Sequence, residues 1–191
     1  MADHSFLSPS GASRWMECPP SVHLEKQYQH TSNDAADEGT FAHHVSEHLI
    51  KNHFKLISKQ VFEHEMKMIR KHRFFSKELE SYCYDFMNVV ADKYNSLDDP
   101  TIIIEQTVNL SKYIKEGFGT IDCCIVANHE LYIFDLKYGK GVFVDAHENK
   151  QMMIYALGAL ENIELLYHTS KVQVNIFQPR LNNFSSYDIT V

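Results

Sequence analysis

The chain has 191 residues, enough for one domain with a substantial core, and 44% of them are hydrophobic with no uninterrupted apolar run of about eighteen residues, so no membrane span is expected. Eighteen basic against 25 acidic residues leave a net charge of −7, which is not the profile of a protein held to nucleic acid by bulk charge. The N-terminus MADHSFLSPSG lacks a basic segment followed by an apolar one, so no secretory signal is expected; Cys18, Cys83, Cys123 and Cys124 form no C-x-x-C pair and read as reduced cytosolic thiols.

In chain order, residues 8–18 predict a short helix with Ser8 as its cap, Pro9 in the first turn and Pro19-Pro20 at its end. Residues 30–37 (HTSNDAAD) read as a polar turn. Phe41, Val45, Leu49 and Ile50 form a helical stripe over 40–54. The apolar positions of 60–95, from Phe62 to Tyr94, fit one long helix or two shorter ones, broken by Asp98-Asp99-Pro100. Strands follow at 101–109, 119–127 and 130–137, then a helix near 146–167 and a strand at 171–178. This order predicts an α/β fold with a mixed central sheet and extra N-terminal helices: 1–100 mainly helical, 101–191 sheet and helix, one domain throughout. No G-x-G-x-x-G or G-x-x-x-x-G-K-[ST] occurs, so dinucleotide and P-loop chemistry are not expected.

The most informative stretch runs from Gly119 to Tyr155. Asn128-His129 suits a two-residue hairpin turn, and such a turn makes facing residue numbers sum to 257, which sets Asp122 opposite Asp135. Facing carboxylates repel unless a cation bridges them. Strand alternation returns Lys137 to the Asp135 side and sends Leu136 into a core. Two carboxylates and an ammonium suit a hard divalent metal, an activated water and a developing negative charge. A strand-edge salt bridge explains Asp-x-Lys equally simply, but Tyr132, Ile133, Phe134 and Leu136 predict a buried strand, where an unpartnered charge is expensive. Gln151 and Tyr155, at i and i+4, share a helix face just after the hairpin. Glu105 interrupts the apolar run IIIEQT. His44 and His48 are also i,i+4, a spacing that binds zinc, but an H-E-x-x-H glutamate is absent. Arg14 and Trp15 read as a helix packed on the core rather than as phosphate and base contacts.

Five short motifs stand in order: G-T-x-x-H (Gly39, Thr40, His43), the upstream Glu105, G-x-x-D (Gly119, Asp122), D-x-K (Asp135, Lys137) and Q-x-x-x-Y (Gln151, Tyr155). Together they resemble the RecB-like branch of the PD-(D/E)XK nuclease superfamily, and SPSGASRWMECPPS, DLKYGKG, NKQMMIYALGAL and FQPR look like its phage- and prophage-encoded exonucleases. The resemblance covers Leu7 to Arg180. It implies a restriction-endonuclease-like αβββαβ core and a metal-dependent DNA exonuclease of phage recombination or repair in the cytoplasm of a bacterial host. Its partners would be DNA and a phage single-strand annealing or recombination protein, with no membrane. Carried over by position, Asp122, Asp135, the Leu136 carbonyl and His43 would hold Mg2+ or Mn2+, and Glu105 would serve a second metal. Lys137 would stabilise the attacked phosphate or orient the water, while Gln151 and Tyr155 would position substrate or neighbouring groups. Some relatives carry an iron–sulfur cluster on one N-terminal and three C-terminal cysteines; no cysteine follows Cys124, so none is expected. The alternative is a nuclease-fold DNA- or protein-binding module with weak or lost activity.

Overall fold

The computed structural model describes residues 7–25, 27, 33–163 and 168–191. Helices α1 (Ala12–Glu17), α2 (Ser21–Glu25), α3 (Asp34–His53), α4 (Lys59–Ile69) and α5 (Lys77–Asn95) precede strands β1 (Thr101–Asn109), β2 (Phe118–Ala127) and β3 (Glu130–Leu136). Helix α6 (Lys150–Ile163) then crosses to β4 (Lys171–Gln178), and β5 (Asn183–Thr190) closes the chain. The five strands form one mixed sheet in the order β1-β2-β3-β4-β5, parallel only between β3 and β4. From α3 onward, leaving out α4 and α5, the order is αβββαβ with one further strand.

Ser8 does not cap the first helix with its side chain: its Oγ sits 3.2 Å from that of Ser10, while its carbonyl accepts from Trp15 Nε1 at 2.9 Å. Trp15 packs on the core, and Arg14 pairs with Glu25. The polar stretch read as a turn is half helix. Asn33 accepts from Ala36 N at 2.8 Å and starts α3 there, and Asp34 and Asp37 suit its positive N-terminal end. Residues 30–32 lie outside the described residues. Gly39-Thr40 is therefore inside α3 rather than a turn ahead of it. The 60–95 region is two helices, each capped by a serine: Ser58 on Val61 N and Ser76 on Leu79 N. Helix α6 starts later than expected, and 164–167 of its expected span lie outside the described residues.

Each face of the sheet carries its own apolar cluster. On one face α3, α4 and α5 cover Cys123, Ile125, Tyr132, Phe134 and Leu136; on the other α6 and α1 cover Ile121, Cys124, Val126, Ile133 and Val174. The adjacent cysteines thus point to opposite faces, as alternation requires, and both are fully buried. Burial pushes the Cys83 and Cys124 thiols up to about 12, which keeps them protonated and removes them as nucleophiles. Helix α6 lies so close to β1 that a Cβ on Gly158 would stand 2.8 Å from Leu110 Cδ2 and 2.9 Å from Val108 Cβ.

The β2–β3 hairpin has the expected register, with Ala127 facing Glu130 and Cys123 facing Phe134. Asn128 and His129 both take left-handed φ, 50° and 65°, the twist a two-residue turn demands. Strand β5 carries too little apolar alternation to be read from its sequence; it is an edge strand, set by the left-handed Asn182 (φ 49°) and by backbone pairing along β4.

Candidate metal centre

The site forms where the sheet's regularity breaks. Ile103 and Val108 of β1, five residues apart, pack in the same cluster, and so do Ile121 and Cys124 of β2, three apart. Odd separations belong to opposite faces of a regular strand, so each strand slips phase between these residues. The pairing sum is nevertheless unchanged on either side, from Ile104 facing Cys123 to Gln106 facing Ile121. The irregularity is therefore a matched kink in both strands, at Glu105 and the residue facing it, Asp122. Glu105 has φ 52°, an uncommon conformation for a residue bearing a side chain and one that stores of order 1 kcal/mol or more.

Beyond Cys123, β2 and β3 also part, and the Asp122 carboxylate takes over for the missing backbone partner. Its Oδ2 accepts from Leu136 N at 2.8 Å and lies 3.0 Å from His43 Nδ1, which reaches in from α3. Asp135 comes from the opposite layer. It is buried, its Oδ1 accepts from Gln151 Nε2 at 3.1 Å, and Lys137 Nζ donates to Gln151 Oε1 at 2.8 Å. Lys137 Nζ also stands 2.9 Å from Asp135 Oδ2, so one ammonium serves both the buried carboxylate and the amide that holds it. Tyr155 lies behind Gln151, buried, with its Cε1 2.8 Å from where a Cβ on Gly119 would stand. Pro9 Cγ presses on the same point at 2.8 Å, so the glycine of G-x-x-D is what allows the Tyr155 ring onto β2.

Burial opposes charge throughout this cluster, and the partners decide the outcome. It works against the His43 imidazolium, but the charge and hydrogen bond of Asp122, with Asp135 behind them, outweigh it and raise His43 to about 9. The same contact, with the Leu136 N–H, holds Asp122 below the usual carboxylate range against the cost of its burial. Asp135 goes the other way: burial and the Asp122 charge lift it despite Lys137. Glu105 is pushed up to about 7, by burial first and then by the charges of Asp122 and Glu47. The cluster holds more negative charge than its own cations neutralise, and a divalent cation would reverse each upward carboxylate shift.

The residues present fit such an ion. Carboxylates, a main-chain carbonyl and one imidazole form the oxygen-rich set that magnesium and manganese prefer, and Asp135 stays lifted by its burial and the Asp122 charge even with Lys137 at 2.9 Å. His43, Leu136 and Lys137 open on a cleft of roughly 480 Å3 that continues along Gly39, Thr40 and the 139–144 segment. Gln178 pins that segment, donating to the Gly139 and Val142 carbonyls at 3.1 and 2.7 Å and accepting from Val144 N at 3.1 Å. Arg180, just after Gln178, donates to Glu38 of α3 at 2.6 Å.

His43, Asp122, Asp135, Lys137 and Gln151 are thus brought together, with Glu105 across the kink and Tyr155 behind. His44, next in the chain, turns away into a neighbouring cleft of roughly 460 Å3 with Phe41 and His72. Two residues of the centre escaped sequence reading, Glu47 and Lys51, one and two turns after His43 and ion-paired with each other. Glu47 at i+4 and Lys51 at i+8 share the helix face of His43, and that spacing was the available signal. Among the described residues no helix is long and apolar enough to cross a membrane. Residues 4–191 match the family model described as "Protein of unknown function (DUF2800)", and the chain belongs to that family.

Proposed function

We propose that this protein is a divalent-metal-dependent deoxyribonuclease of the RecB-like PD-(D/E)XK type, an exonuclease acting on DNA in phage recombination or repair inside a bacterial cell. One observation carries the reading. Asp122, Asp135 and Glu105 are crowded beside Lys137 and His43, which line a cleft, and burial with the Asp122 charge lifts both Asp135 and Glu105 despite those cations. A salt bridge made only for stability gains little from crowding further buried carboxylates around it.

Asp122, Asp135, His43 and the Leu136 carbonyl would hold Mg2+ or Mn2+, with Glu105 available to a second ion. The ion supplies charge neutralisation at the phosphate and a more acidic water. The chain does the positioning. Gln151 fixes the Lys137 ammonium through one amide atom and Asp135 through the other, so cation and carboxylate keep one spacing. Lys137 lines the cleft, where its charge stabilises the phosphoryl oxygens or orients the attacking water. Tyr155, packed under Gln151 against Gly119, keeps that amide from rotating away. Phosphoryl transfer needs this kind of positioning and charge compensation more than covalent help.

The test is incubation of the purified chain with end-labelled linear single- and double-stranded DNA and with closed circles, in magnesium, manganese or chelator. Metal-dependent loss of label from linear DNA, circles spared, and no cleavage by Asp135→Asn is the expected result. Binding of DNA without cleavage in every metal would overturn the enzyme reading in favour of a nuclease-fold binding module.

A further inference from the structure

Outside the carboxylate centre, α3 carries a second group of metal-binding side chains, spelled H-V-S-E-H from His44 to His48. The donor atoms of His44, Glu47 and His48 lie within 4.8 Å of one another. We propose that these three residues bind a borderline-soft divalent cation, zinc, at a site that borders the carboxylate centre at Glu47 and shares none of the ligands assigned there.

The helix makes the juxtaposition. Residues at i, i+3 and i+4 share one face, and about 100° per residue places Glu47 between His43 on one side and His44 and His48 on the other. The two imidazoles meet edge to face, 4.4 Å between ring centres, and His44 Nδ1 is 3.9 Å from Glu47 Oε2. Tetrahedral zinc sets its ligand atoms about 3.4 Å apart, so the fit asks only for small rotations of side chains that are exposed or half-buried.

Two of the three ligands are already oriented from behind. His48 Nδ1 lies 2.9 Å from the His44 carbonyl, which fixes the tautomer and leaves the Nε2 lone pair free for a metal. Glu47 Oε1 is held by Lys51, which leaves Oε2 turned towards His44. Two imidazoles and one carboxylate select zinc over magnesium, and the three-ligand count leaves a fourth position to solvent. Hard and soft cations would therefore sort between two sites on one helix.

The test uses the full chain stripped of metal, titrated with zinc against a chromophoric chelator and separately with cobalt for its visible absorption. The wild type and an Asp122→Asn/Asp135→Asn variant are expected to bind zinc alike at this site, undisturbed by millimolar magnesium, with the intense bands of a four-coordinate cobalt centre. His44→Ala and His48→Ala should each weaken zinc at least about tenfold with unchanged far-UV circular dichroism. Unweakened zinc binding in both histidine variants, or loss of all zinc binding in the carboxylate variant, would overturn the proposal. Neither result bears on whether DNA is cut, since the carboxylate variant lacks the nuclease centre from the outset.

Discussion

The His43–Asp122 contact makes metal binding a proton-releasing reaction. In protein freed of divalent ions, His43 titrates at about 9, so at pH 7 nearly every molecule carries the imidazolium. An incoming dication must expel that proton, whether His43 coordinates it or is merely repelled by it. Two pH units at 1.36 kcal/mol each make the expulsion cost about 2.7 kcal/mol at pH 7, and solvent screening at the ring lowers this to about 2 kcal/mol. An ordinary histidine would cost only a few tenths of a kcal/mol at the same pH. Apparent Mn2+ affinity should therefore rise about 25- to 50-fold from pH 7 to pH 9 through this residue alone. The assay is titration calorimetry in buffers of differing ionisation enthalpy, which counts protons released per metal bound. At pH 7.5 the wild type should release about one proton more than His43→Gln, whose amide keeps a donor for Asp122. The His43 charge holds Glu105 and Asp135 down, so its loss leaves both more protonated in the variant and the difference falls somewhat short of a full proton. Equal proton release by the two proteins would refute the ion pair as the group that metal displaces.

Lys137→Ala should lower DNA cleavage by at least about a hundredfold while leaving Mn2+ affinity largely intact, and Gln151→Ala should lower it less; a Lys137→Ala protein cutting at the wild-type rate contradicts the role given to the ammonium. Gly119→Ala forces a methyl group to 2.8 Å from both Pro9 and Tyr155 and should destabilise the fold by about 1–3 kcal/mol in urea unfolding, with Gln151 displaced and cleavage reduced. Glu105→Gln should stabilise the metal-free protein. A carboxyl whose folded value is raised from 4.5 to about 7 loses stability as pH rises through that window, so the gain is near zero below pH 4.5 and reaches about 1–3 kcal/mol above pH 7. Melting curves at pH 4.5 and 8 measure it, and a gain confined to the acid side would refute it.

Local pattern carried much of the fold into the sequence. A turn of two residues with left-handed φ fixed the β2–β3 register as far as Cys123 and Phe134, one pair short of Asp122 and Asp135, where the strands part. The stripe Phe41, Val45, Leu49 and Ile50 found α3 but not its first turn, because Asn33 and two aspartates signal a cap and a loop with the same polarity. Strict alternation was the rule that failed. It sets Asp122 on the Cys124 face with Asp135, whereas the kink lets Asp122 reach His43 across the layer boundary. Nothing in IIIEQT announces a left-handed glutamate, since that conformation is imposed by the paired strand rather than by local propensity. Glu47 was hidden for another reason: it belongs to α3 by pattern and to the centre only through the angle at which α3 meets β1.

The kink also accounts for the placing of the centre. A regular β1–β2 ladder would project Glu105 and Asp122 on one face, side by side, and pair their backbones with each other. Twisting Glu105 to φ 52° instead drops both residues from the ladder and frees the Asp122 carboxylate to accept the Leu136 N–H. The crowded negative charge acts against the metal-free state, whereas the strain is common to both states. A bound dication relieves the repulsion and leaves the strain, so metal should tighten this end of the sheet more than it tightens the β2–β3 turn. Amide exchange at Gln106, Asp122 and Leu136 is then expected to slow on adding Mn2+, while Asn128 and His129 exchange as before. Uniform slowing along both strands would mean that the kink is not where metal and fold are coupled.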